Sequence, residues 1–270
     1  MARVIAIANQ KGGVGKTTTA INLGASLAVA EQRVLIVDID PQGNATSGMG
    51  VEKTEDLPTI YDVLVEGRPI HECVMEGLHF PYLSFVPSNR DLVGAEIELV
   101  DRPERERILR KALEPYRSEY DLILVDCPPS LGLLTLNTLA AADSVLIPIQ
   151  CEFYALEGLS QLLNTVRLVQ RNLNRSLEIE GVLLTMYDRR LNLSKQVAEE
   201  AREYFGGRVF ETTIPRNVRL AEAPSFGQPI VTYDVLSTGA QSYLELAKEL
   251  LARIEVAGEA PRTAPTKEAS

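Results

Sequence analysis

Near the start of the chain, Lys11-Gly12-Gly13-Val14-Gly15-Lys16-Thr17-Thr18 has the residue types and spacing to hold a phosphate chain. Glycines at 12, 13 and 15 let the backbone curl until successive N–H groups face anionic oxygens. A helix beginning near Lys16 would turn the positive end of its dipole on the same point. The Lys16 ammonium is then placed to reach β- and γ-phosphate oxygens, and the Thr17 hydroxyl to ligate Mg²⁺. A lone glycine pair at a strand-to-helix turn need bind nothing. Here the spacing, the Lys-Thr ending and the place between an apolar run and a helical pattern agree.

Carboxylates follow at two later stations. Asp126 closes the apolar run 122–126, where an acid at a strand's C-terminal edge can hold magnesium through water. Asp38 and Asp40 follow a second apolar run, and Pro41-Gln-Gly-Asn-Ala-Thr-Ser47 reads as a loop beside the phosphates. One of the two could orient an attacking water; each alone also reads as a strand-end cap. Their joint placement at the ends of neighbouring strands favours function.

Positioning such groups requires strands that end together. Short runs rich in Val, Ile and Leu are expected as strands at 4–8, 34–38, 83–86, 122–126, 144–149 and 181–185, with a weaker seventh at 209–212. Most are continuously apolar, which suits a parallel sheet buried on both faces. Amphipathic stretches at 16–30, 103–116, 133–142, 156–172, 193–205 and 239–254 lie between and after them. This alternation predicts an α/β fold, a doubly wound and mostly parallel sheet with helices on both faces. One ATPase domain over 1–255 is expected, followed by a disordered tail at 256–270 (VAGEAPRTAPTKEAS), which is small, polar and interrupted by proline.

Composition narrows the class. Among 270 residues, 45% are hydrophobic and 24% charged, which suits a packed core and argues against global disorder. No apolar run approaches the ~18 to 20 residues a membrane span needs, so no membrane insertion is expected. The apolar N-terminal stretch is too short for a signal-peptide core. Cys73, Cys127 and Cys151 are too few and scattered for a disulfide framework or a four-ligand zinc site, and read as small apolar residues of a reduced, cytoplasmic protein. A net charge of −10 means that any nucleic-acid binding must come from a local basic patch.

An extra lysine just before the first glycine, Lys11, distinguishes this loop from an ordinary one and makes it a deviant Walker A motif. With Asp38-Ile-Asp-Pro-Gln-Gly-Asn44, Asp126-Cys-Pro-Pro-Ser130 and Ile214-Pro-Arg-Asn-Val-Arg-Leu-Ala-Glu-Ala-Pro-Ser-Phe-Gly227, the chain resembles the ParA/Soj chromosome- and plasmid-partitioning ATPases over about residues 3–254. The resemblance implies ATP and Mg²⁺, a homodimer closed around two nucleotides, nonspecific double-stranded DNA as a partner, and hydrolysis stimulated by a ParB-like centromere-binding protein. It implies that Lys11 reaches the partner's nucleotide and that Lys16 is the loop lysine. Asp40 would be the hydrolytic aspartate and a metal-site residue with Thr17, and Asp126 the Walker B aspartate. It also implies an adenine pocket made partly by Pro215 and Asn217, and a nucleoid-associated location. Physically, Lys11 would supply charge in trans as an arginine finger does, making hydrolysis depend on assembly.

The same superfamily holds MinD-like positioners, nitrogenase-type iron proteins and ligase-like enzymes. A membrane positioner should end in a basic amphipathic helix; the stretch 243–254 carries Glu245, Lys248, Glu249 and Arg253 without cationic bias and is expected to pack on the core. The alternative kept open is a MinD-like or scaffold-associated positioning ATPase whose cargo is not DNA. DNA contact is assigned to Arg189, Arg190, Arg216 and Arg219, because planar guanidinium forks suit phosphate oxygens. Dimerisation would merge two small patches into one large enough to bind, with strong salt dependence.

Overall fold

Strands β1 (Arg3–Ile7), β2 (Val34–Asp38), β3 (Leu83–Val86), β4 (Leu122–Asp126), β5 (Ser144–Gln150) and β6 (Glu178–Thr185) form one sheet in the order β3-β2-β4-β1-β5-β6. Every pairing between them is parallel. The structure is a computed structural model that describes residues 1–152 and 157–259. Helices α1 (Lys16–Val29), α2 (Asn44–Gly48), α3 (Leu92–Glu98), α4 (Ile108–Leu113) and α5 (Leu133–Ala141) come from the first half. The second half supplies α6 (Glu157–Asn172), α7 (Asn192–Phe205), α8 (Val218–Glu222), α9 (Ile230–Tyr233) and α10 (Thr238–Glu259).

Because successive strand side chains point to opposite faces, β1 feeds two cores at once. Val4 and Ala6 join a cluster with Leu109, Leu134, Leu162 and Val197. Ile5 and Ile7 join another with Leu23 and Leu27 of α1 and Tyr243, Leu246 and Leu250 of α10. Each such aliphatic side chain contributes roughly 1.5–3 kcal/mol by leaving water. The continuous apolar character of the strands is thus the mark of a sheet covered on both sides. The α10 face that carries Ala240, Tyr243, Leu246, Ala247 and Leu250 is buried, as expected for a core-packing helix.

Parallel register places the chemistry. Asp38 lies opposite Asp126, and Ile7, where the chain leaves β1 for the glycine loop, also pairs with Asp126. With β2 and β3 to one side of β1 and β5 and β6 to the other, the loops after β1, β2, β4 and β6 gather at the strands' C-terminal ends, where doubly wound sheets bind ligands.

Several boundaries differ from expectation. The seventh strand at 209–212 does not form; Val209 makes an isolated bridge to Val182, and Glu211 and Thr212 give their N–H groups to Glu249 of α10 instead. The stretch 103–116 is α-helical only over Ile108–Leu113, between 3₁₀ turns at Arg105–Arg107 and Glu114–Tyr116, as prolines 103 and 115 would dictate. Helices α2, α3, α8 and α9 are too short for periodicity to reveal. The helix expected from Leu156 runs from Glu157, residue 156 lying outside the described residues. Helix α10 runs through Glu259, beyond Ile254; the rest of the 256–270 tail lies outside the described residues.

Candidate functional site

The glycine loop is braced from both sides. Asn9 Nδ2 donates to the carbonyl of Pro148 (2.7 Å), and its Oδ1 accepts from the Lys11 N–H (3.0 Å). Thr185 Oγ1, at the end of β6, donates to the Val14 carbonyl (2.8 Å). Gly13 and Gly15 have φ of 75° and 89°, left-handed values at which a side chain would strain the turn. Helix α1 starts directly after Gly15, so its free N–H groups open on the loop.

A cleft of about 620 Å³ lies over this loop, lined by Gly12, Gly13, Gly15, Lys16, Thr17 and Thr18 on one side and by Asp40, Gln42, Asn44 and Pro129 on the other. Lys16 is buried at 7% exposure, with Nζ donating to the Lys11 carbonyl (3.2 Å). Burial lowers its pKa, against the pull of nearby Asp126, Cys127 and Asp40. The Lys16 ammonium therefore lacks a carboxylate ion pair within the described residues and stands ready for an anion.

The acids divide the labour. Asp38 is fully buried and accepts from Thr46 N–H (2.8 Å), Thr46 Oγ1 (2.7 Å) and Asp40 N–H (3.1 Å), which makes it the anchor of the loop between β2 and α2. Burial pushes its pKa up to about 6. Asp40, the better placed of the two for chemistry, lines the cleft, with Oδ1 accepting from Gln42 N–H (2.9 Å) and its carbonyl held by Ser88 Oγ (2.7 Å). Asp126 is the outlier. Both its oxygens are buried and have no hydrogen-bond partner among the described residues. Burial, and then the charge of Asp38, raise its pKa well above the ordinary carboxylate value, while Thr17 and Lys16 pull the other way.

An orphaned carboxylate beside a threonine hydroxyl and an ammonium fits a hard divalent cation that brings its own water and phosphate ligands. Among the described residues, no cluster of three or more His, Cys, Asp and Glu side chains forms a complete cage. The cysteines take no part: all three are buried thiols, with burial pushing Cys127 and Cys151 up to about 12.

A second cavity of about 190 Å³ adjoins the first, sharing Gly15, Thr18 and Met186 with it. Pro215 and Asn217 line it as expected, together with Ile214, Leu220 and Tyr243. Its apolar walls suit a planar base, and its junction with the phosphate cleft sets base and phosphates on one path. Asn217 is less free than the sequence suggests. Its Oδ1 caps α8 through Leu220 N–H (3.2 Å) and its Nδ2 donates to Thr238 Oγ1 (2.7 Å), leaving one lone pair and one N–H for a ligand. Thr185 and Met186 were not foreseen. Met186 has φ of 50°, an uncommon value for a non-glycine residue, and lines both cavities. Its only signal in the sequence is its place at the end of β6.

Lys11 does not line its own cleft. Its Nζ lies 4.0 Å from Glu152. The arginines fall in two places. Tyr187 bridges to Pro215, which brings Arg189, Arg190 and Arg216 onto one groove of about 770 Å³. Arg219 is not on it. Nor are the guanidiniums free: Arg190 forms a two-pronged pair with Asp188 (3.0 and 2.7 Å), Arg216 approaches Glu152 (3.5 Å), and Arg219 pairs with Glu222 (3.0 Å) and Asp234 (3.5 Å). Arg190 holds the Asp188 carboxyl down at about 2. Asp188 and Glu222 are local to their arginines, whereas Glu152 and Asp234 are brought in by the fold, and a count of basic residues shows neither.

Comparison with known proteins agrees with this geometry. Residues 2–179 match a family described as an AAA domain. The chain is 60% identical over 251 residues to the chromosome partitioning protein ParA of Myxococcus xanthus, covering 93% of this chain and 88% of that one. It is 59% identical over 252 residues to the sporulation initiation inhibitor protein Soj of Bacillus subtilis, covering 93% and 99%. Among solved structures, a cobyrinic acid a,c-diamide synthase of Mycobacterium smegmatis with bound ADP and magnesium superimposes with a TM-score of 0.83 at 37% identity, covering 98% of this chain and 100% of that one.

Proposed function

Since the chain belongs to the ParA/Soj family of chromosome-partitioning proteins, we propose that it is an ATPase that binds ATP with magnesium and closes into a dimer around two nucleotides. The dimer binds DNA without sequence preference, and hydrolysis stimulated by a ParB-like partner releases it into the cell interior around the nucleoid. The observation that supports this reading is the continuous path from the apolar pocket, past Met186, to Lys16, Thr17 and Asp40. The curated relatives support partition over a ligase-type reaction, since identity to them is 60% and 59% against 37% to the synthase.

In this reading the loop amides and α1 N-terminus hold the phosphates, and Lys16 pairs with the β- and γ-oxygens. Thr17 and, through water, Asp126 would hold magnesium with Asp40 nearby; the ion would neutralise phosphate charge. Asp40 orients the attacking water. Lys11, which does not line its own cleft, reaches the other subunit's nucleotide, so turnover rises with dimerisation. Arg189 takes DNA phosphates, and Arg190 and Arg216 do so in place of Asp188 and Glu152. The exchange is cheap because exposed ion pairs contribute only about 0–1 kcal/mol.

Two measurements test this. Calorimetric titration with ATP and magnesium should give binding for the wild type and a loss of roughly a hundredfold or more, equal to about 2.7 kcal/mol, for Lys16→Ala. Near-normal affinity in the variant overturns the phosphate assignment. Retention of plain duplex DNA should need ATP and fall steeply with salt; retention indifferent to nucleotide overturns the switch, and retention on lipid vesicles instead of DNA favours a positioning ATPase with another cargo.

A further inference from the structure

Helices α6 and α7 leave a groove of about 440 Å³ beside the start of β6. Its floor is apolar: Leu163, Val166 and Leu177 are buried there, and Phe205 lies half-buried beside them. Tyr204 stands at the rim at 63% exposure, its ring edge-on to Phe205 with centroids 4.7 Å apart. Gly206, with φ of 57°, turns the chain out of α7, and Arg208 follows on the same groove. Strand β6 starts in the groove with Glu178 and Ile179 and ends at Thr185, which braces the phosphate loop. A strand of that length puts roughly 23 Å between its ends. The groove shares no lining residue with the phosphate cleft or the base pocket.

The charge on this groove is the reverse of the molecule's. The chain as a whole carries −10, whereas Arg167 and Arg208 line the groove against the single carboxylate of Glu178. Among the described residues neither guanidinium has a carboxylate partner; Arg167 donates to the Asn164 amide oxygen (3.2 Å). Arg190, Arg216, Arg219 and Arg253 are all ion-paired by contrast. Two unpaired guanidiniums over an apolar floor differ from two solvated surface charges. A planar fork that donates two hydrogen bonds suits a carboxylate or a phosphate monoester. The floor and the Tyr204 ring suit an aromatic or apolar body joined to that anion. The volume falls within the range of sites for small organic molecules.

We propose that this groove is a second ligand site, which takes a small organic anion with an aromatic or apolar body. The carboxylate or phosphate end pairs with Arg167 and Arg208, and the body covers Leu163, Val166 and the Tyr204 ring. Because Glu178 lines the same groove, a ligand with one charged end and a neutral body fits better than a polyanion. A bare anion would gain from the arginines and leave the apolar floor uncovered. The site stands apart from the nucleotide reading given above and does not depend on it.

The test uses the full chain, with and without saturating ADP and magnesium. Calorimetric titrations with 1-naphthyl phosphate and with 1-naphthoate separate the two kinds of anionic end. Inorganic phosphate and 1-naphthalenemethanol serve as fragments that lack the body and the charge. At least one naphthyl anion should bind about tenfold or more tightly than either fragment, and equally well whether or not ADP is present. Arg167→Gln with Arg208→Gln, and separately Tyr204→Ala, should each weaken that binding by about tenfold, equal to about 1.4 kcal/mol. Melting temperature and ATP affinity should not change in either variant. Equal binding by wild type and both variants overturns the proposal, as does the absence of binding by both naphthyl anions at millimolar concentration. Inorganic phosphate that binds as tightly as they do reduces the groove to a bare anion patch and overturns it too. Binding that ADP abolishes lies in the nucleotide cleft, with the same consequence. Displacement of the probe by plain duplex DNA, with DNA retention lost in the arginine variant, assigns the groove to nucleic acid and overturns it as well. A chain that binds no nucleotide and keeps the naphthyl site instead sinks the ATPase reading and supports this one.

Discussion

Asp38 and Asp126 are register partners on neighbouring parallel strands, and their carboxyl groups are treated in opposite ways: Asp38 takes hydrogen bonds from Thr46 and Asp40, while Asp126 takes none. Two buried acids side by side, with Asp40 and Lys16 as their nearest charged neighbours, store unfavourable charge that a cation would relieve.

That arrangement predicts a pH dependence. Asp38 binds its proton at about 6 in the folded chain against an ordinary 3.8, and Asp126 is raised as well. Across that interval the folded form holds more protons than the unfolded form. The contribution of this pair is therefore fully favourable below the ordinary value and declines as pH rises through about 6. Asp126→Asn removes the charge at nearly constant shape, so at neutral pH the nucleotide-free variant should be more stable by roughly 1–3 kcal/mol. Its melting temperature should decline less with pH, and its magnesium-dependent turnover should fall. Melts from pH 4 to 8 decide; a variant with lower stability and an unchanged decline contradicts the assignment.

Asp40 and Asp38 should separate chemistry from architecture. Asp40→Ala should keep ATP affinity within a few-fold and lose about 10²-fold or more in turnover, as expected for a lost water-orienting group. It should accumulate as an ATP-bound dimer on gel filtration. Asp38→Ala strips the anchor from Thr46 and should lose nucleotide affinity as well. Calorimetry with phosphate release gives both quantities, and the reverse pattern would exchange the two roles.

Charge reversal in the arginine groove should act on DNA alone. Arg190→Glu and Arg189→Glu should leave ATP affinity unchanged and reduce the salt slope of DNA retention by about one for each phosphate no longer neutralised. Arg219→Glu would set a third carboxylate against Glu222 and Asp234, and should disturb α8 more than the salt slope. If both groove variants retain DNA with the wild-type slope, the patch lies elsewhere.

The loop bearing Asp40 is tied to the base side by one close backbone approach. Gly50 has φ of 77°, and a Cβ there would meet the Gly227 carbonyl oxygen at 2.8 Å. Gly50→Ala should destabilise the chain by about 1–3 kcal/mol and slow turnover. Gly67→Ala has a similar φ of 75° with open space around it, and isolates the cost of the backbone angle from that of the close approach. Equal melting temperatures and turnover for the two variants would show that the approach of Gly50 to Gly227 has no effect of its own.

Residues 11–18 and the continuous apolar runs determined the phosphate loop and the parallel sheet by themselves, because both depend on local backbone geometry and on burial of whole strands. Pro215 and Asn217 were legible only through the motif they belong to. Tertiary structure alone decided that Asp126 would lack partners, that Met186 would join two cavities, and that Arg190, Arg216 and Arg219 would face carboxylates. It also decided that Glu211 and Thr212 would give their N–H groups to Glu249, while Phe210 alone of that run gives its N–H to Val182 of β6. The reason is the same in each case. Strand and turn formation are settled among residues close in sequence, whereas the state of a charge depends on what the register of distant strands and the pairing of surface turns bring within a few ångströms.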